Sequence, residues 1–248
     1  MIITYKEQGQ TLGQLTNLLK NKLNKKICYI GRLDPIASGI ICYLLEEECK
    51  LASKYLHFDK SYFFNLILGI STDSGDPLGM ITGISPVFEI EDKFIDFFDN
   101  FTYMQEYPIY SSYVIRKNGL KKPLWYYAKN NIKLDENDIP KHKVKIKQLE
   151  KIDESFYIKD TYYFIRQIQK LDDIKGECFR KDEIIKQYKD LKEIHLLAIP
   201  LIAKVTSGTY IRKLCEDIGI YLGVPAMADG IERVAFHFPD NIKEYEFL

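Results

Sequence analysis

The sequence has no excess of charge of either sign: 35 Lys and Arg stand against 35 Asp and Glu in 248 residues. It therefore offers no global basic footprint for a polyanion, and any such surface must come from how the charges are distributed. No uninterrupted apolar run reaches the length of a membrane span, although 46% of the residues are hydrophobic. The opening Met1-Ile2-Ile3-Thr4-Tyr5-Lys6-Glu7 lacks the charge and apolar pattern of a signal peptide, so a soluble, cytoplasmic protein is expected. Five cysteines, at 28, 42, 49, 178 and 215, form no CxxC pair and leave an odd count, which argues against a secreted disulfide framework. Four histidines stand singly, with no spacing that places two metal ligands on one helix face, so no metal site is expected. GxSxG, Walker-loop and dinucleotide glycine patterns are missing, which disfavours hydrolase and nucleotide-binding functions. Without a repeat, low-complexity tract or Pro/Ser-rich linker, the chain reads as one domain, long enough to bury a core.

Hydrophobic periodicity supplies the elements. Leu12, Leu15, Leu18, Leu19 and Leu23 fall at helical spacing, with Thr11 as N-cap, and predict an amphipathic helix over 11–22. Ile40 to Leu45 predicts a buried strand, 46–56 a helix, and the aromatic and branched stretch Tyr62 to Ile70 another strand. Ser71 to Gly79 reads as a loop in which Asp73 and Asp76 serve a turn, because their spacing is not that of a calcium loop. A helix is expected over 88–98, then a Pro- and Gly-interrupted excursion over 104–133. Beyond it, strands are expected over 144–149, 162–168 and 195–205, and a helix over 182–191. Tyr210 to Leu222 carries Ile211, Leu214, Cys215, Ile218 and Leu222 as an apolar stripe with Gly223 at its end, a helix.

Charge is unevenly placed. Arg116, Lys117, Lys121, Lys122, Lys129, Lys133, Lys141, Lys143, Lys145 and Lys147 occupy a stretch whose only acids are Asp135, Glu136 and Asp138, with Trp125, Tyr126 and Tyr127 among them. Such a stretch can grip RNA or form a solvated lysine-rich face.

Gly31-Arg32-Leu33-Asp34-Pro35 puts a carboxylate on a turn between a short apolar segment and the Ile40 run. Asp before Pro is a common turn device, yet a carboxylate held there can also be a nucleophile. Two distant segments add polar groups in similar settings. In Lys60-Ser61-Tyr62-Phe63, strand period puts Lys60 and Tyr62 on one face, where Tyr62 can equally be a core aromatic. In Gly208-Thr209-Tyr210-Ile211-Arg212 the arginine falls in the first turn of the expected helix, where a cation opposes the helix dipole and calls for an anionic partner.

In their order and approximate spacing these segments resemble the TruB-type pseudouridine synthases. The resemblance continues through Leu68-Gly69-Ile70-Ser71-Thr72-Asp73 and Asp76, Tyr107-Pro108-Ile109-Tyr110-Ser111, Pro123-Leu124-Trp125-Tyr126-Tyr127-Ala128, Asp217-Ile218-Gly219 and Ile231-Glu232-Arg233. It implies an α+β pseudouridine synthase fold, a central mixed but mostly antiparallel sheet flanked by helices, with a thumb-like insertion over about 107–133 that closes on RNA. It also implies isomerisation of uridine to pseudouridine in RNA, in that family uridine 55 of the tRNA T-loop. No cofactor is needed, since the N1–C1′ bond is exchanged for a C5–C1′ bond without net redox change. By this resemblance Asp34 is the nucleophile and Arg212 its ion-pair partner, a cation that favours a charged carboxylate. Tyr62 stacks on the uracil and takes the proton, with Lys60 orienting it. Ile231 packs in the pocket, Lys6 supports it, and Tyr110 lies among the substrate-binding residues. The expected partner is the tRNA T-arm or another structured RNA, bound by a monomer without metal or membrane.

The chain departs from the family pattern at three places. Tyr29 replaces the histidine two residues before the motif glycine, and Arg32 replaces the small residue after it. The string GRLD also resembles the RsuA and RluA branches, where an arginine beside the aspartate assists base extrusion, so Arg32 is expected to share that task and Tyr29 to wedge or stack. Glu7 stands where the family has Pro. Little chain follows Phe238, so a C-terminal PUA domain is expected to be absent, which admits a ribosomal or messenger RNA hairpin as alternative substrate. The reading from another class is a catalytically inert RNA-binding or RNA-folding protein, disfavoured by the joint presence of Asp34, Tyr62 and Arg212.

Overall fold

The computed structural model describes residues 1–87, 90–171, 180–191, 194–238 and 246–247. The elements are β1 (Ile2–Lys6), α1 (Leu12–Leu23), β2 (Ile27–Ile30), β3 (Ser38–Leu45), α2 (Ala52–Tyr55), β4 (Asp59–Leu68), β5 (Ile70–Thr72) and β6 (Ile81–Ile84). They continue with α3 (Lys93–Phe98), β7 (Thr102–Glu106), β8 (Val114–Lys117), β9 (Leu120–Pro123), α4 (Leu124–Lys129), β10 (Lys141–Lys151) and β11 (Phe156–Ile158). The last are α5 (Tyr162–Gln169), α6 (Lys181–Asp190), β12 (Leu196–Val205), α7 (Ile211–Leu222), β13 (Ala226–His237) and β14 (Glu246–Phe247).

One ten-stranded sheet runs in the order β14-β1-β3-β13-β4-β12-β10-β7, with β2 beside β3 and β11 beside β12. Only the β1/β14 and β3/β13 pairs are parallel, so the sheet is mixed and mostly antiparallel as expected. Strand alternation on β4 splits the core. Tyr62, Phe64, Leu66 and Leu68 point to the layer containing Ile211, Leu214, Cys215 and Ile218 of α7, whereas Ile67 joins Phe164, Ile165, Ile168, Ile184 and Tyr188 of α5 and α6. Each fully buried aliphatic side chain in these layers stabilises the fold by about 1.5–3 kcal/mol.

Sequence signals with a clear period hold up. Thr11 caps α1 in a capping box with Gln14, and Leu12, Leu15 and Leu19 are its buried face. Gly223 ends α7 with φ 70° in the left-handed region. The 46–56 segment is a 3₁₀ turn, Glu46–Leu51, followed by α2. Two expectations change. The strand expected over 162–168 is helix α5: Phe164, Ile165 and Ile168 share one buried face, so a 3.6 period outweighs the β-propensity of a Tyr-Tyr-Phe-Ile run. The helix expected over 88–98 is only α3, since residues 90–92 are not helical and residues 88 and 89 lie outside the described residues, as does Cys178.

The excursion between β7 and β10 consists of the β8–β9 hairpin and α4. Its root is tied by the Leu124 amide donating to the Tyr113 carbonyl (2.8 Å) and the Trp125 amide to that of Ser111 (3.1 Å). Tyr113, Val114, Leu120 and Trp125 remain exposed on it.

Candidate active site

The loop after β2 carries Asp34, and buried cations hold it from behind. Lys6, wholly inaccessible at the end of β1, donates its three ammonium protons to the carbonyls of Ala37 (2.5 Å), Pro35 (3.1 Å) and Glu7 (3.1 Å). Arg233 on β13 donates to the carbonyls of Ile40 (2.9 Å), Gly31 (3.2 Å) and Arg32 (3.3 Å). Six backbone acceptors in or beside one short loop are thus satisfied by two side chains, which rigidifies a segment that would otherwise leave polar groups unpaired. Burial lowers the Lys6 pKa to about 8, partly countered by Asp34; Arg233 pulls it further down and Glu7 up. Glycine is required at two places. At Gly39 (φ 118°) a Cβ would meet the Arg233 backbone at 2.3 Å, and at Gly31 (φ 70°) it would press on the Arg233 guanidinium and the Lys60 side chain.

Facing that loop is the N-terminus of α7. Arg212, 3% exposed, points its Nε at Asp34 Oδ2 (2.8 Å), donates Nη1 to the Ser74 carbonyl (2.5 Å) and Nη2 to the Tyr110 carbonyl (3.2 Å), and lies 3.6 Å from Asp76 Oδ2. The cation set against the helix dipole is therefore offset by two carboxylates, which also suit that dipole. Burial works to lower the Arg212 pKa, but Asp34 and Asp76 together hold it above its ordinary value. Asp76 is deeply buried, and desolvation pushes it up to about 6 in spite of Arg212 and of hydrogen bonds from Ser74 Oγ (2.7 Å) and the Leu78 amide (2.9 Å). Asp34 differs: 39% of its side-chain surface is open, so one oxygen is fixed by Arg212 while the group stays reachable by a ligand. Tyr210, the residue before α7, lies within electrostatic reach of Asp34, and burial first, then Asp34, raises its pKa to about 12.

The phenol of Tyr62 on β4 lies within electrostatic reach of the Arg233 guanidinium. Its ring shares an apolar cluster with Ala37 and Ile231, and Leu33 packs on that cluster. Asp34 and Arg212 thus meet directly, Tyr62 is linked to the same loop through Arg233, and Ile231 belongs to the apolar cluster that holds the Tyr62 ring. Lys60 is not the cation beside Tyr62: its ammonium donates to the Phe58 carbonyl (2.7 Å), with Ser207 Oγ at 3.4 Å and the Leu56 carbonyl at 3.5 Å, and its stem packs on Gly31. Burial lowers the Lys60 pKa to about 8. Arg32 is exposed, with its guanidinium 5.8 Å from the Tyr29 ring, so these two form one cation–π pair at the loop's outer side. The Tyr110 side chain is engaged by protein: its hydroxyl donates to Asp73 Oδ2 (3.2 Å) and Arg180 lies 4.9 Å from its ring centre.

Asp73 and Asp76, read from sequence as turn residues, are both in ion pairs, with Arg180 and Arg212 respectively. The sequence assigns no site role to Asp76, Tyr210 or Arg233. The available signal for Arg233 was a cation inside the apolar strand that follows Ile231. Of the basic stretch, Lys117 pairs with Asp135 and Asp138, Lys141 with Glu106 and Lys147 with Asp59. Lys121, Lys122, Lys129, Lys143 and Lys145 are in no ion pair among the described residues. Among those residues no cluster of three His, Cys, Asp or Glu could hold a metal ion, and no helix is long and apolar enough to cross a membrane.

The sequence profile of the TruB family pseudouridylate synthase N-terminal domain matches residues 18–163, more than half of the chain. The chain belongs to this family. A tRNA pseudouridine synthase B of Mesoplasma florum is 38% identical over 136 residues, 53% of this chain and 46% of that protein. The Staphylococcus aureus protein of the same name is 29% identical over 236 residues, 93% of this chain and 64% of that one. This chain thus spans about half to under two-thirds of the length of these relatives. Among solved structures, a Cbf5-Nop10-Gar1 complex matches with a TM-score of 0.56 and 17% identity over 100% of this chain and 51% of that chain. An archaeal box H/ACA Nop10-Cbf5 complex matches at 0.51 and 16%, over 99% and 50%. At such identities the likeness is one of fold, and it is the pseudouridine synthase fold expected. Within this TruB member, Asp34, Tyr62 and Tyr110 fall inside the matched segment, whereas Arg180, Arg212 and Arg233 lie beyond it.

Proposed function

We propose that this protein isomerises uridine to pseudouridine in structured RNA, with uridine 55 of the tRNA T-loop as substrate. The observation that carries this reading is the half-open carboxylate of Asp34, held by one oxygen on a buried arginine. Such a group is oriented, remains accessible and needs no partner to activate it, which suits a nucleophile toward an uncharged nucleoside. Membership of the TruB family and relatives named tRNA pseudouridine synthase B support the choice of reaction and RNA class.

The target uridine leaves its stack at a cost of a few kcal/mol. The exposed Arg32 and the half-buried Tyr29 it pairs with take up the gap it leaves. The extruded uracil lies against Tyr62 and Ile231, and Asp34 attacks the nucleoside. The N1–C1′ bond breaks, the base turns, C5 joins C1′, the bond formed by Asp34 breaks to return the free carboxylate, and the C5 proton leaves while N1 regains one. Atoms and electrons balance without a cofactor. Tyr62 gives up its own hydroxyl proton as the ring turns and takes the C5 proton in its place, and the Arg233 cation nearby steadies the negative oxygen between the two transfers. The 107–133 excursion, with its exposed aromatics and unpaired lysines, closes over the RNA as a thumb. The protein acts as a monomer in the cytoplasm.

Release of tritium from C5-labelled uridine in a full tRNA transcript tests the reaction. A second transcript without the T-arm tests the substrate. Release from both transcripts equally points to another hairpin, and RNA binding without release from either points to an inert binder.

A further inference from the structure

Helix α6 lies beyond the segment that matches the family profile, yet it reaches the site. Arg180, the residue that starts it, forks onto Asp73 with Nη1 at 2.8 Å from Oδ2 and Nη2 at 3.1 Å from Oδ1. The same guanidinium lies over the Tyr110 ring, whose hydroxyl also donates to Asp73. Asp73 further accepts the Met80 amide (2.8 Å), so one carboxylate joins α6, the root of the 107–133 excursion and both ends of the 72–80 loop. About two turns along α6, Gln187 accepts the Ile81 amide (2.9 Å), and the buried Tyr188 lies within electrostatic reach of Asp76. Arg180 itself holds φ 54°, a left-handed conformation uncommon for a residue with a long side chain.

That loop and that tyrosine supply the groups that orient Arg212. Ser74 and Tyr110 give it their carbonyls and Asp76 its carboxylate. We infer that α6 is a positioning element, and Arg180 a positioning residue, for the Arg212–Asp34 pair. Arg180 fixes Asp73 and Tyr110, these fix the carbonyls and carboxylate around Arg212, and Arg212 aims Asp34. The inference rests on the proposed reaction for its kinetic form only.

The test uses the full chain with Arg180→Ala, Arg180→Lys, Asp73→Asn and the Arg180→Ala/Asp73→Asn pair. Single-turnover tritium release is expected to slow by about tenfold or more in Arg180→Ala, with RNA affinity changed by less than about threefold. Arg180→Lys restores part of the rate, and the double variant is no slower than the worse single one, because both remove one link. A native rate in Arg180→Ala, or losses that multiply in the double variant, overturns the inference. If Arg180→Ala does not fold, Arg180→Lys and Asp73→Asn carry the same comparison. A second readout needs no turnover. Hydrogen exchange of the Arg212 Nε–H, identified by its disappearance in Arg212→Lys, is expected to quicken at least about fivefold in Arg180→Ala. Unchanged exchange overturns the inference even if the wild type proves inactive, whereas wild-type inactivity with quickened exchange sinks only the proposed reaction.

Discussion

One guanidinium faces two carboxylates: Arg212 Nε lies 2.8 Å from Asp34 Oδ2 and 3.6 Å from Asp76 Oδ2. The two acids share a cation but not an environment, since Asp34 is half-open and Asp76 only 4% exposed. Buried and open carboxylates on one arginine divide the work, one setting the cation's direction and the other being presented by it.

Asp76 makes stability depend on pH in an unusual direction. Its pKa rises on folding from 3.8 to about 6, so between these values the folded protein binds more protons than the unfolded chain. Stability from this group is greatest at low pH and is lost as pH climbs through about 4 to 6, by up to about 3 kcal/mol. In urea titrations, the wild type minus Asp76→Asn difference should fall by that order between pH 4 and 7. A difference independent of pH would contradict the assignment.

Arg233→Met leaves the carbonyls of Gly31, Arg32 and Ile40 without their donor. Each buried unpaired acceptor costs about 1–3 kcal/mol, offset in part by relief from burying a charge, so a net loss of about 3 kcal/mol is expected in urea unfolding. A loss under about 1 kcal/mol would show that the loop does not depend on this side chain.

Tyr62→Phe keeps the ring in its apolar cluster and removes only the phenol oxygen. If that oxygen receives the proton, single-turnover release falls by about 10²- to 10⁴-fold. Stability should change by no more than about 1 kcal/mol. A rate within about threefold of wild type would leave Tyr62 a stacking residue alone.

Arg32→Ala separates extrusion from chemistry. The exposed guanidinium at the loop's outer side is expected to matter when a base must be unstacked, so release slows about tenfold on a folded hairpin and less than about twofold on an unstructured oligonucleotide. Equal slowing on both would place Arg32 in binding, and full activity on the hairpin would remove it from the mechanism.

The sequence foretold elements where one local rule applied. Leu12 to Leu23 and Ile211 to Leu222 repeat at 3.6 residues between caps, and both are helices. A first-turn arginine opposed to its helix dipole called for an anion, and Asp34, 178 positions away, is the anion it meets. Local rules misled at Tyr162 to Ile168, where aromatic and branched residues suggested a strand although their burial follows a helical face. They set Lys60 beside Tyr62, whereas the Lys60 ammonium donates to the Phe58 carbonyl, and they were silent on Arg233. Which lysine or arginine satisfies which backbone carbonyl depends on strands β4 and β13 lying side by side, a pairing that neither segment encodes alone. The ion pairs of Asp73 and Asp76 were hidden for the same reason, since a turn needs aspartate whether or not an arginine arrives from a distant helix.

The most direct measurement compares Asp34→Asn with the wild type in single-turnover tritium release from a tRNA transcript, with RNA affinity measured alongside. If Asp34 is the nucleophile, the variant binds RNA within about threefold of wild type and releases tritium at less than about a thousandth of its rate. Release by Asp34→Asn within about tenfold of the wild-type rate would contradict a nucleophilic role for this carboxylate.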